Sequence, residues 1–154
     1  MASGRADYFS GVDVAYQALS QLIVRPKYGG AVQTAGQTVV FGDSLNVLTT
    51  ISGRGMVYGG SVWLDHTLTQ ANSEVWLAID SECLSGISFL RLRDYGFVQP
   101  RSSIISLNLY DSTNYIYSVG VSYGLTFENE LILGYQESHN TSPTVHYILV
   151  YALI

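Results

Sequence analysis

Ser44 carries a hydroxyl that could serve as a nucleophile only with a base beside it. It lies in Phe41-Gly42-Asp43-Ser44-Leu45, a string in which Gly42 and Asp43 are turn formers between two apolar runs. A serine hydroxyl attacks an ester carbonyl only when a positioned imidazole takes its proton. Three histidines could do so: His66, His139 and His146. Asp65-His66 opens a polar loop, His139 lies in another, and His146 alternates onto a strand face. They do not fall at metal-ligand spacing, so solvated or core-edge histidines are the expectation. Asp80, Glu82, Asp94 and Asp111 are acids at strand ends. The nearest pair, Asp80-x-Glu82, lacks the dense acid spacing of a calcium loop. Cys83 is alone, which excludes an intrachain disulfide, and no basic residue adjoins it. It is expected to be a small buried hydrophobe. No catalytic residue, metal or cofactor is assigned.

The elements that would carry these residues are strands. Leu45, Val47, Thr49 and Ile51 alternate with Asn46, Leu48 and Thr50. Ser52-Gly53-Arg54-Gly55 reads as a tight turn, and Met56 to Asp65 as a strand with a bulge or close backbone approach at Gly59-Gly60. His66 to Ser73 is a polar loop, and Glu74 to Asp80 a further strand. Short strand pieces follow at Cys83-Leu84 and Ser88 to Leu92, and Gln99-Pro100-Arg101 breaks the chain. Ile105, Leu107 and Leu109 share one strand face, Asp111 to Asn114 is a hairpin loop, and Tyr115, Tyr117, Val119, Val121 and Tyr123 line the next strand. Leu131, Leu133 and Tyr135 begin another, and Glu137 to Thr144 is a polar loop. Val145 to Ile154 closes the sequence, apolar on both faces and free of charge. Such a strand is expected to be paired on both edges and covered. About eight strands with short turns, at the spacing of a sandwich or barrel, predict an all-β fold, an antiparallel β-sandwich; the strand count suits a jelly roll, as it does other Greek-key sandwiches.

Residues 1–36 read differently, as an N-terminal arm or short helix ahead of a sandwich domain over 37–154. Val12, Tyr16, Leu19 and Ile23 recur at helical steps, although Gln21 to Arg25, ended by Pro26, also fits a strand. Lys27 to Gly36 is Gly-rich and loop-like. An ordinary first helix and loop on the same domain fits these residues equally.

Composition narrows the function. The chain has 154 residues, a net charge of -5 and 12% charged residues, about half the usual ~25%. A single lysine, Lys27, and six arginines argue against nucleic acid, which needs clustered bases. No segment approaches the ~18 consecutive apolar residues of a membrane helix, and Met1 to Ser10 lacks the pattern of a signal peptide. Synthesis in a cytoplasm is the expectation. Twelve tyrosines and two tryptophans suit partly wet contacts. Tyr147, Tyr151, Leu153, Tyr115 and Tyr117 are therefore expected at a subunit interface. A sugar-binding platform of Trp63, Trp76, Asp111 and Asn114 is the alternative.

Two resemblances bear on this. Phe41 to Leu45 resembles the nucleophile block of the GDSL esterases, with Ser44 as the attacking residue. That family also carries an Asp-x-x-His and a Gly-x-Asn-Asp block, and neither occurs here. A serine esterase is therefore the remote alternative. Leu48-Thr49-Thr50-Ile51-Ser52-Gly53-Arg54-Gly55, Gly59-Gly60 and Val75-Trp76-Leu77-Ala78-Ile79-Asp80 form the second set, with Phe127 to Tyr135 and Val145 to Tyr151. Together these look like small β-sandwich structural proteins of tailed bacteriophages. The resemblance spans Leu45 to Ile154. It implies a non-enzymatic virion component, such as a capsid decoration, neck, tail or fibre protein, made in the host cytoplasm. The expected partners are other virion proteins and copies of itself, as a homo-oligomer such as a trimer, with no nucleic acid and no membrane.

Overall fold

The computed structural model describes residues 30–42, 44–65, 70–99 and 103–153. The helical spacing at Val12 to Ile23, the end of the chain at Ile154, and His66 lie outside them. The chain divides into two compact units, Met1–Gly30 and Ala31–Ile154. The second is an all-β sandwich of two antiparallel sheets.

Among the described residues ten strands build it: β1 Val32–Val39, β2 Leu45–Ser52, β3 Gly55–Asp65, β4 Glu74–Ile79, β5 Glu82–Ser88, β6 Ile105–Asp111, β7 Ile116–Val121, β8 Thr126–Phe127, β9 Glu130–Gln136 and β10 Thr144–Leu153. The larger sheet has the order β1-β10-β3-β7-β6, with β8 beside one end of β3. The smaller has the order β2-β9-β4-β5. The pairings nest: β4 with β5, β3 with β7 and β8, β2 with β9, β1 with β10. A long two-stranded ribbon rolled on itself gives this order, which is a jelly roll. The β6–β7 hairpin widens the larger sheet.

Alternation dictates what lies between the sheets. Val62 and Leu64 of β3, Tyr117 and Val119 of β7, and Val145 and Leu149 of β10 face Val75 and Leu77 of β4 and Leu131, Leu133 and Tyr135 of β9, all buried. At roughly 1.5–3 kcal/mol per fully buried side chain, this layer is the main source of stability.

Four strands, β2, β3, β5 and β6, break the expected alternation at an extra residue. In β2 the register shifts between Val47 and Thr49, leaving Leu48 unopposed. Leu48 and Ile51 turn inward, while Leu45 and Val47 are 59% and 51% exposed. In β6 the extra residue is Asn108, so Leu109 does not join Ile105 and Leu107 in the core. In β5 it is Leu84. Each bulge moves the following side chains to the opposite face. The Gly59-Gly60 region of β3 carries the irregularity expected there. Gly59 has φ +145°, and a Cβ on Gly60 would stand 2.7 Å from the Ile148 carbonyl oxygen.

Two local expectations are corrected. Residues 32–36, read as loop, are the first half of β1. Their side chains are small or polar with little periodicity, and the pairing with β10 makes them a strand. Ser88 to Leu92, read as a strand piece, ends β5 and opens a helix, α1, Phe89–Asp94. Ser88 Oγ accepts the Arg91 N–H at 3.3 Å as the N-cap, and Phe89 and Leu92, three residues apart, both turn into the core.

Candidate functional site

The densest polar constellation lies where β9 ends and β4 begins. Alternation along Leu131, Leu133 and Tyr135 carries Glu137 onto the same inward side, and its side chain is buried. Its Oε1 accepts the Ser73 hydroxyl at 3.0 Å and the His139 backbone N–H at 3.1 Å. Its Oε2 accepts the Tyr135 hydroxyl at 3.0 Å. Ser73 Oγ also accepts the Ser138 N–H at 3.0 Å and lies 3.0 Å from Ser138 Oγ. Burial drives the Tyr135 phenol pKa far above its ordinary value, so it stays a donor. Gln70, also buried, reaches Thr141 Oγ1 at 3.5 Å, while its Oε1 has no partner among the described residues.

This cluster ties the 137–141 loop to the start of β4. The Ser73 and Tyr135 hydroxyl protons go to a carboxylate, and His139 contributes its backbone rather than its ring. Reading Glu137 only as the start of a polar loop missed it. The signal was the parity of Leu131, Leu133, Tyr135 and Glu137.

Ser44 sits in a different arrangement. Its hydroxyl donates to the Phe41 carbonyl at 2.8 Å, and the Asn46 amide donates to Ser44 O at 2.9 Å. The Asn46 side-chain oxygen takes the Phe41 N–H at 3.2 Å. These are turn hydrogen bonds, as expected of Gly-Asp between apolar runs. The turn packs tightly: a Cβ on Gly42 would stand 2.6 Å from the Asn140 Cα.

The acids at strand ends hold loops. Asp80 and Ser81 both take positive φ, 50° and 71°, making the two-residue turn between β4 and β5. The Asp80 carboxylate accepts the backbone N–H groups of Glu128, Glu130 and Asn129 at 2.7–3.2 Å, which hold its pKa below the ordinary carboxylate value. The unfolded chain then takes up this proton at higher pH than the folded one. The stabilisation is complete above the ordinary carboxylate pKa of ~4 and is lost as pH falls through the lower folded value. Asp80→Ala is accordingly expected to lower Tm at pH 7, with the difference from wild type shrinking as pH approaches 2. Thermal melts across that range check this, and a pH-independent difference would contradict it. Among the described residues, no cluster of three or more His, Cys, Asp or Glu is arranged to hold a metal ion.

Cys83 is exposed rather than buried, because β5 is an edge strand. Arg93 pairs with Asp94 at 2.6 Å and lies 4.6 Å over the Tyr110 ring.

The aromatic residues disperse. Trp63 is on the outer face of the larger sheet, half-buried, stacked on His146 with ring centres 5.5 Å apart. Trp76 is in the smaller sheet, buried, its indole against Gly134, which pairs with it across strands. The two tryptophans therefore share no platform. Asp111 and Asn114 cap the β6–β7 hairpin together, with Asn114 Nδ2 donating to Asp111 Oδ2 at 2.7 Å. Tyr117 is fully buried in the core, with Tyr110 against it edge-on. Tyr115 and Tyr123 lie beyond the ends of β7 and are exposed. Tyr147 and Tyr151 of β10 pack against the core, and Leu153 is exposed. β10 is paired on both edges, by β1 and β3.

No protein-family model and no curated protein matches the chain. Distant similarity to solved structures exists. The crystal structure of FlhE aligns with a TM-score of 0.39 and 12% identity, covering 79% of this chain and 96% of that one. The complex of the Aeromonas sobria serine protease with its chaperone ORF2 aligns with a TM-score of 0.37 and 14% identity, over 86% of this chain and 29% of that one. The Aeromonas sobria serine protease structure gives a TM-score of 0.35 and 13% identity, over 88% and 29%. Likenesses this distant carry no inference about fold or function. No described helix is long and apolar enough to cross a membrane.

Proposed function

We propose that this protein is a non-enzymatic structural component that assembles with copies of itself on a larger shell. A tailed-phage virion is the setting that its strand motifs resemble. One observation carries the reading: β1, β2 and β10 hold no charged residue, although β1 and β2 display exposed side chains. Surface strands that are meant for water normally carry charge. A jelly roll whose charges are kept to its other elements is suited to being covered there. The hydrogen bonds of Ser44 support the non-enzymatic part, since its proton is directed to a backbone carbonyl.

The carbohydrate-binding alternative retains a single supporting feature, the Trp63–His146 stack on the outer sheet face. Sedimentation velocity on the full chain at micromolar concentration tests the leading reading. A discrete species at a multiple of 16.9 kDa is expected. A monomer at every concentration, together with glycan binding abolished by Trp63→Ala, would favour the alternative.

A further inference from the structure

Among the described residues, four long strands stand at the sheet edges: β1 and β6 in the larger sheet, β2 and β5 in the smaller. Three are interrupted. β2 carries the extra residue Leu48, β5 carries Leu84 and β6 carries Asn108. Glu82 and Asp111 add charge to β5 and β6. Bulges and charges are the devices by which sheets refuse further strands. β1 has none of them. It pairs with β10 in unbroken register over all eight residues, from Val32↔Tyr151 to Val39↔Thr144. It contains no Pro, Lys, Arg, Asp or Glu. Its outward backbone groups form a pairing edge about 26 Å long.

Resting on the self-assembly reading above, we infer that β1 is the assembly edge, where it pairs antiparallel with β1 of a second copy about a two-fold axis. Several features favour the chain's own β1 as the occupant. A two-fold axis normal to the sheet keeps both outer faces on the same side, so odd-numbered residues meet odd-numbered ones. Gln33, Ala35, Gln37 and Val39 then line up across the seam, all exposed and all uncharged. The chain is net negative, but none of its charges lies in β1 or in the adjoining β10. Two copies therefore meet without like charges at the seam. In the register that sets Ala35 opposite Gln37, the exposed Val39 of one copy falls opposite Gln33 of the other, with Phe41, 67% exposed, just beyond the seam. The unit this geometry generates is a dimer with a continuous sheet, in contrast to a three-fold ring.

The test uses the full chain in four forms: wild type, Ala35→Lys/Gln37→Lys, Ala35→Glu/Gln37→Glu, and Leu84→Lys on the bulged β5 edge. All three substituted positions, Ala35, Gln37 and Leu84, are exposed, and circular dichroism verifies folding. The Lys and the Glu pairs are each expected to raise the dissociation constant about tenfold or more, since like charges then face each other twice. Mixing the two is expected to restore a heterodimer, and Leu84→Lys to leave assembly unchanged. A wild-type oligomer that survives both charged pairs, that loses assembly equally with Leu84→Lys, or that is not restored on mixing overturns the β1 edge while self-assembly stands. A wild-type monomer overturns both.

Discussion

Glu137→Ala is expected to lower the unfolding free energy by about 3–5 kcal/mol. The buried carboxylate accepts three hydrogen bonds, from the Ser73 and Tyr135 hydroxyls and the His139 N–H. Removing it leaves buried donors without an acceptor, at roughly 1–3 kcal/mol each, offset in part by water entering the space. Tyr135 is the worst placed, because it is fully buried among core residues. Glu137→Gln retains one carbonyl oxygen but turns an amide N–H towards donors, so an intermediate loss of about 1–2 kcal/mol is expected. Urea denaturation of the three proteins measures these values. A loss below about 1 kcal/mol for Glu137→Ala would mean that the cluster is already wet, contrary to its burial.

Gly134→Val is expected to destabilise by about 3 kcal/mol and to expel Trp76 from its site. A Cβ on Gly134 would collide with Cε2, Cζ2 and Nε1 of the indole, and Trp76 stands directly opposite on β4. The ring has no escape towards the core, which Val75 and Leu77 already fill. Overpacking a well-filled site costs typically 1–3 kcal/mol, and more when a backbone must shift. Tryptophan emission in a Trp63→Phe background should move to longer wavelength with the substitution. Unchanged emission with unchanged Tm would contradict the packing described. Gly36 and Tyr147 repeat the arrangement between β1 and β10: a Cβ on Gly36 would stand 2.7 Å from the tyrosine hydroxyl.

These aromatic–glycine pairs mark the limit of what was legible beforehand. Strand positions could be read from alternation, as in β4, β7 and β9, and the hairpin at Asp111 from its turn residues. The number of strands suits a jelly roll and other Greek-key sandwiches alike, and the pairing order separates them. Which face a residue occupies could not be read wherever a bulge intervenes. Leu45 and Val47 are outside because Leu48 is an extra residue, and Leu109 is outside because of Asn108. A bulge depends on the partner strand, which alternation within one strand does not describe. For the same reason Trp76 could be counted as an available ring. Nothing in its own neighbourhood of the sequence says that Gly134 lies opposite it and lets the indole settle there. The helix α1 was missed because its two buried residues, Phe89 and Leu92, are too few to establish a helical period. Glu137 was hidden by its polarity, although its position in the strand's alternation was visible. β1 was obscured because its residues suit a loop as well as a strand, and only the eight-residue register with β10 distinguishes the two.

On the proposal made here, copies of this chain join at β1, the uninterrupted and uncharged strand among the described long edges. Hydrogen–deuterium exchange over residues 32–39 reads that contact amide by amide. In any folded state, alternate amides of β1 bond to β10, and the remaining ones point outward. These outward amides are expected to be protected in the wild-type assembly and to exchange freely in folded Ala35→Lys/Gln37→Lys, with β5 unchanged between the two. Equal and rapid exchange of the outward β1 amides in both proteins would contradict it.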